Sequence, residues 1–210
     1  MYLYTDTTDH IIVGLLSDEF QWLEYHEEKS IKRSSNELHH TIYKILEKHE
    51  LKFSKLRGFL FAAGPGSYTG MRLSEGIAQI CEWQGIRVNS FYHVDVPHLL
   101  KSEEGVWFSK AFKGEYFFYE WKRASENKSR LLNEEDFIQE LKKFDVANIY
   151  TNFEDKKLLQ NLDIDIEITS TAHDIRKFPR KIFQEVVDGN LRFPPLYYRS
   201  EESEFKIPAK

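Results

Sequence analysis

A chain of 210 residues is long enough for one large domain or two small lobes, and 41% hydrophobic with 15% aromatic residues describes a globular protein with a real core. The net charge of −5 argues against autonomous, non-specific nucleic-acid binding, which usually needs a basic surface. The single cysteine, Cys81, excludes an intrachain disulfide and suits a reducing cytosol; with no basic-then-apolar leader and no apolar run near ~20 residues, a cytoplasmic location is expected and neither secretion nor a membrane span.

Taken in chain order, strands are predicted over 2–6, 11–16 and 20–26, the first two joined by the polar turn Thr7-Thr8-Asp9-His10. Asp6 then falls at a strand end beside two hydroxyls, which reads either as a plain polar turn or as a phosphate-facing loop. Ser34-Ser35-Asn36-Glu37 has capping-box spacing, and Leu38, Ile42, Ile45 and Leu46 repeat at helical spacing behind it up to about residue 50. His39 and His40 are adjacent, so they do not share a helix face and read as surface residues.

The apolar run 58–63 reads as a buried strand, and it leads into Gly64-Pro65-Gly66-Ser67-Tyr68-Thr69-Gly70-Met71-Arg72. A helix is expected from about 69 to 84, with Ser67 or Thr69 as its cap. Two glycines around a proline permit tight turning, and a helix N-terminus presents free amides, so the turn suits either an anion or a close-packed backbone. It has neither the Gly-Lys-Ser/Thr of a P-loop nor a dinucleotide fingerprint. Along the helix Gly70, Ser74 and Ala78 recur every four residues, forming a small-residue groove that admits another helix backbone, from the same lobe or from a second chain. Cys81 lies on the apolar side and reads as a structural thiol.

A strand follows over 86–91 and a short helix from 93. His93 and His98 are five apart, so on a helix their rings diverge by about 140°, and with no third donor in view they do not read as a metal pair. The polar stretch 101–105 is the expected boundary between an N-terminal lobe, 1–101, and a smaller C-terminal lobe, 102–210, whose final segment returns to the first. The second lobe is expected to hold an aromatic hairpin (106–112 and 116–122), an Asn133-capped helix carrying Phe137, Ile138 and Leu141, strands over 146–150 and 162–168, and a last helix from Pro179 to Gly189. No internal repeat is visible.

The nonapeptide closely resembles the signature of the TsaB (YeaZ) family, the partner subunit of TsaD in the synthesis of threonylcarbamoyladenosine in tRNA. Leu3-Tyr4-Thr5-Asp6-Thr7-Thr8 is similar to that family's first strand and turn, Gly114-Glu115-Tyr116-Phe117 to its Gly-Glu-Val-Tyr strand, and Pro195-Leu196-Tyr197-Tyr198-Arg199 to its closing motif. Where the family has Asp-Ala-Arg before the Gly-Glu strand, this chain has Lys110-Ala111-Phe112. The resemblance implies an α/β, two-lobed fold of the actin and heat-shock-chaperone ATPase type, with mixed sheets flanked by helices. It implies a non-catalytic subunit with no metal and no cofactor bound by this chain alone, ATP or ADP being a candidate ligand of the assembled complex. The implied partners are a TsaD-like catalytic subunit, a further ATPase subunit and, in their absence, a second copy; tRNA is reached only through the complex, and no membrane is involved.

On that reading Asp6, Thr7, Thr8, Gly64, Pro65, Gly66 and Ser67 form the turns that would face a nucleotide. Leu38, Ile42, Thr69, Gly70, Arg72, Leu73, Ser74, Ile77, Ala78 and Cys81 form the expected partner face, and a bulky residue at Gly70 or Ala78 is expected to block pairing without unfolding the chain. The alternative, from another class, is an active ATPase or sugar-kinase-like enzyme of the same fold, which needs a held Mg²⁺ and a cation near the phosphates. Asp6 alone is a poor metal site. A hydrolase finds no defensible Ser/His/Asp or Cys/His arrangement.

Overall fold

The structure, a computed structural model, describes residues 1–28, 34–111, 114–122, 127–144, 148–152 and 168–198, with the backbone alone at 34 and 35. The first sheet contains β1 (Tyr2–Asp6), β2 (Ile11–Leu16), β3 (Trp22–Glu28), β4 (Gly58–Ala62) and β5 (Arg87–Phe91), in the order β3-β2-β1-β4-β5. β1, β2 and β3 form an antiparallel meander; β4 and β5 run parallel to β1. α1 (Ser34–Lys48) follows the meander, and α2 (Tyr68–Trp83) makes the crossover from β4 to β5.

β1, β2 and β4 are buried along their whole length, because helices cover both faces of the sheet. On one face Leu38, Ile42, Ile45 and Leu46 of α1 and Ile77, Ala78 and Cys81 of α2 pack on Leu3, Val13, Phe59 and Phe61. On the other, Tyr4, Ile12, Leu60 and Phe91 meet Val96 of α3 (Val96–Leu99), Ile175 of α5 (Thr171–Lys177) and Ile182, Phe183 and Val186 of α6 (Pro179–Asp188). Beyond α6 the chain returns over the first sheet: Ser90 N–H donates to Leu191 O at 3.0 Å and Leu196 N–H to Ala63 O at 2.7 Å.

The second sheet is β6 (Gly105–Lys110), β7 (Tyr116–Trp121), β8 (Lys128–Leu132), β9 (Ile149–Thr151) and β10 (Thr169–Ser170), in the order β10-β9-β6-β7-β8. β6, β7 and β8 are an antiparallel meander, and β9 and β10 run parallel to β6. The two sheets thus share one topology, a meander whose first strand is extended by two parallel strands. This is the duplicated, two-lobed arrangement of the actin and heat-shock-chaperone ATPase fold, and it repeats although the sequence does not.

The aromatic hairpin obeys the two-residue period of a strand. Val106, Phe108, Tyr116 and Phe118 point to the side covered by Phe137 and Leu141 of α4 (Glu134–Leu141). Trp107, Phe117 and Trp121 point the other way, to Val94 of the first lobe, and join the lobes through an aromatic layer. Asn133 caps α4, its Oδ1 accepting from Asp136 N at 2.9 Å. β3 begins two residues later than expected, β8 and α5 were not foreseen, and the expected capping box at Ser34 and most of the strand at 162–168 lie outside the described residues.

Candidate functional site

The Gly-rich turn and the Asp6-Thr7-Thr8 turn are packed against each other. Ser67 N–H donates to Thr8 O at 2.6 Å, and Thr7 Oγ1 donates to Gly70 O at 2.6 Å. Ser74 Oγ stands 2.9 Å from Thr7 Oγ1 and 3.0 Å from Thr5 Oγ1. A Cβ at Gly66 would overlap Thr8, one at Gly70 would overlap the Thr7 carbonyl, and one at Gly64, whose φ is +118°, would lie 2.5 Å from Leu196 O. The glycines of the motif are therefore demanded by backbone contact between β1, α2 and the returning C-terminal segment. Ser67 caps α2, its side chain accepting from Gly70 N at 3.3 Å. Of the seven turn residues, Asp6, Thr7, Thr8, Gly64, Pro65 and Gly66 are buried and Ser67 is half-buried, so they face one another rather than an open nucleotide site.

Asp6 is the centre of a buried polar network. Its Oδ1 accepts from Thr8 N at 2.9 Å and Thr8 Oγ1 at 2.7 Å, and its Oδ2 lies 2.8 Å from His93 Nε2. The other ring nitrogen, Nδ1, is 2.9 Å from Thr171 Oγ1, and Asn152 Nδ2 donates to Thr8 Oγ1 at 3.2 Å. Asp6 and His93 come from the first lobe, Asn152 and Thr171 from segments flanking β10 of the second, so the network closes the interlobe cleft. Burial alone would raise the Asp6 carboxyl, but the facing His93 and the Thr8 donors outweigh it and hold it below its ordinary value.

Sequence reasoning assigned His93 no role beyond structure. Its importance comes from a partner 87 residues away, a separation that no local pattern reveals. His98 is half-buried against Trp121, and burial lowers its pKa. Among the described residues, no group of three or more His, Cys, Asp or Glu side chains is placed to hold a metal ion.

The expected partner face needs correction. Leu38, Ile42, Gly70, Ser74, Ile77, Ala78 and Cys81 are all buried in this chain's own first lobe. The small-residue face of α2 turns inward because the hydroxyls of Thr5 and Thr7 and the Thr7 carbonyl approach it; the backbone it admits is β1, not a second chain. Burial pushes the Cys81 thiol up to about 12, which suits an inert structural group. Leu73 is half-buried, whereas Thr69 and Arg72 are exposed, with the Arg72 guanidinium 4.2 Å from the centre of the Tyr68 ring.

The outward side of the helix pair carries different apolar residues. Trp83 is 93% exposed and Ile80 46% exposed on α2, and Tyr43 is 61% exposed on neighbouring α1. Leu73, Gly76, Ile80 and Trp83 follow a helical stripe, and no atom lies within 4 Å of a Cβ built at Gly76. Isolated exposed apolar side chains are ordinary; here an almost fully exposed tryptophan stands one turn from a half-exposed isoleucine on the same side of α2.

Comparison with known proteins agrees on the fold. No family model matches the sequence, and no curated protein sequence matches it significantly. Among solved structures, the chain is similar to an uncharacterized protein with similarity to peptidase YeaZ from Pseudomonas aeruginosa, with a TM-score of 0.62 and 15% identity over 94% of this chain and 99% of that one. It is also similar to YeaZ from Pseudomonas aeruginosa, with 20% identity over 64% of this chain and 68% of that one and a TM-score of 0.49. Among the described residues, no helix is long and apolar enough to cross a membrane.

Proposed function

We propose that this chain is a TsaB (YeaZ)-type subunit that acts by docking on a TsaD-like catalytic subunit in the synthesis of threonylcarbamoyladenosine beside the tRNA anticodon. The sequence signature and the fold likeness to a YeaZ-like protein support the same reading. The observation that carries it is the exposed apolar stripe of α2 around Ile80 and Trp83. Tryptophan and tyrosine are the side chains most often found at the energetic centre of protein interfaces.

The cleft supports a role without phosphoryl transfer. A nucleotide enzyme of this fold needs its acidic turn open to Mg²⁺ and phosphates. Here both Asp6 oxygens are held by Thr8 and His93, and the Ser67 and Gly70 amides are held by Thr8 and Ser67. The catalytic group, the metal and the nucleotide then belong to the partner, and tRNA is met through the assembly, which includes a further ATPase subunit. Without its partner the chain covers the same face with a second copy.

The test is co-elution with the TsaD-like subunit from the same cell, and threonylcarbamoylation of tRNA by the reconstituted system. Ile80→Glu with Trp83→Ala is expected to abolish both while leaving the far-ultraviolet circular dichroism of the isolated chain unchanged. Undiminished co-elution and modification would remove this face from the interface. ATP turnover by the isolated chain would favour an enzyme instead.

A further inference from the structure

We propose that Asp6, His93 and Thr171 form a charged latch between the lobes, in which both ring nitrogens of His93 carry a hydrogen and the imidazolium is sealed against the Asp6 carboxylate. The assignment comes from counting donors. Thr171 Oγ1 has one hydrogen, and it points to the carbonyl of Thr151 at 2.9 Å, an atom that only accepts. The remaining lone pairs of that hydroxyl receive the Trp107 indole N–H, at 3.4 Å, and His93 Nδ1 at 2.9 Å. Nδ1 must therefore donate.

At the other edge of the ring, Nε2 faces Asp6 Oδ2 at 2.8 Å and Thr8 Oγ1 at 3.3 Å. Thr8 Oγ1 directs its own hydrogen to Asp6 Oδ1 at 2.7 Å, so it can only accept from the ring, and an ionised carboxylate has no hydrogen to offer. Nε2 must donate as well. From β1 the ring is met by the Asp6 carboxylate, whose neighbour Tyr4 is held as the neutral phenol by burial and by that carboxylate; from α5 it meets the neutral Thr171, on which Trp107 of β6 also donates.

Side chains of Asp6 and His93 are fully buried, and a buried pair is strongly destabilised by loss of one partner. That cost couples the charge state of one histidine to the closure of the cleft. The latch belongs to the chain itself and stands whichever partner covers α2.

Nuclear magnetic resonance of the nitrogen-15-labelled full chain at pH 8 tests the assignment directly. Hydrogens are expected on both Nδ1 and Nε2 of His93. A His93 ring with one bare nitrogen at that pH overturns the proposal. The second test is Thr171→Val, which keeps the side-chain shape and deletes the acceptor in the second lobe. Amide hydrogen exchange around Thr8, His93 and Asn152 is expected to quicken about tenfold with unchanged far-ultraviolet circular dichroism. Exchange no faster than in the unsubstituted chain likewise overturns it. If Thr171→Val does not fold, the nitrogen measurement on the unsubstituted chain decides alone.

Discussion

Substituting Gly70 by alanine tests the claim that the Gly-rich motif is a packing device within one chain. In an open helix position the change would stabilise, since alanine exceeds glycine by up to about 1 kcal/mol in helix propensity. At Gly70 the new methyl overlaps the Thr7 carbonyl oxygen, a backbone atom at the end of β1 that cannot rotate aside. Relief requires β1 and α2 to part by about 1.5 Å to reach an ordinary carbon–oxygen contact. That separation breaks two buried bonds, Thr7 Oγ1 to Gly70 O at 2.6 Å and Thr7 Oγ1 to Ser74 Oγ at 2.9 Å. Each is worth about 1 kcal/mol, and overpacking adds about 1–3 kcal/mol. After the propensity gain is subtracted, a net loss of about 2–4 kcal/mol remains, or about 5–15 °C in melting temperature for a chain of this size. Gly76→Ala is the internal control: nothing lies within 4 Å of its Cβ, so it should gain about 0.5–1 kcal/mol. Urea unfolding followed by circular dichroism separates the two. A Gly70→Ala variant as stable as Gly76→Ala would refute the packing account and restore the motif as an open docking groove.

Three further outcomes follow from the same geometry. Burial pushes the Asp95 carboxyl up to about 6; folding therefore favours its protonated form, and stability present below the ordinary value of about 3.9 is lost as pH rises through 6. Asp95→Asn should gain about 1–2 kcal/mol at pH 8 and nothing at pH 4, as read from urea midpoints at the two pH values. The Asp6 carboxyl is held low, so its contribution is present above about pH 3.9 and is lost as pH falls through the depressed folded value. An acid unfolding limb that is missing in Asp6→Asn would show this. Arg192 grips Glu75 through two nitrogens, at 2.6 and 3.0 Å, and Glu82 at 2.8 Å. Arg192→Ala should loosen the C-terminal segment by about 1–2 kcal/mol, seen as faster exchange of the Phe193 and Leu196 amides with unchanged exchange in β6 and β7.

Much of the fold was legible because its strands are short apolar runs bounded by turn residues. The run 58–62, the aromatic runs in 105–110 and 116–121, and the caps Ser67 and Asn133 all carry local signals. β8 carries none: Lys-Ser-Arg-Leu-Leu has no alternation, its residues range from exposed to half-buried, and only pairing with β7 makes it a strand. The motif is plain in the sequence, but the backbone that packs against it is not. Small residues at four-residue spacing say that a backbone comes close without saying which, and here it is Thr5-Asp6-Thr7. The exposed stripe has no local signal of its own: Ile80 and Trp83 are apolar residues in a helix whose Ile77 and Cys81 are buried, and only the placement of that helix over β4 and β5 shows that they point outward.

The two halves of the molecule explain why the interior and the surface have separate roles. A fold that repeats one topology puts the ends of β1 and of its counterpart β6 on opposite walls of a single cleft. In this chain those walls touch: Trp107 of β6 and Thr171 after β10 close on His93 after β5 and Asp6 of β1. Both oxygens of the acidic carboxylate are already held by Thr8 and His93 of its own lobe, and these are tied in turn to Asn152 and Thr171 of the other, so the cleft contributes rigidity. Rigidity is what a docking subunit needs, because a preformed face loses less conformational freedom when it binds. The exposed Ile80 and Trp83 sit on the helix whose other side is pinned to β1 by Gly70 and Ser74. A latch variant should therefore weaken partner binding at a face it does not touch. Titrating the TsaD-like subunit into Thr171→Val by calorimetry should show reduced affinity with a more unfavourable entropy than for the unsubstituted chain. Equal affinities would mean that the closed cleft and the docking helix are independent features of the fold.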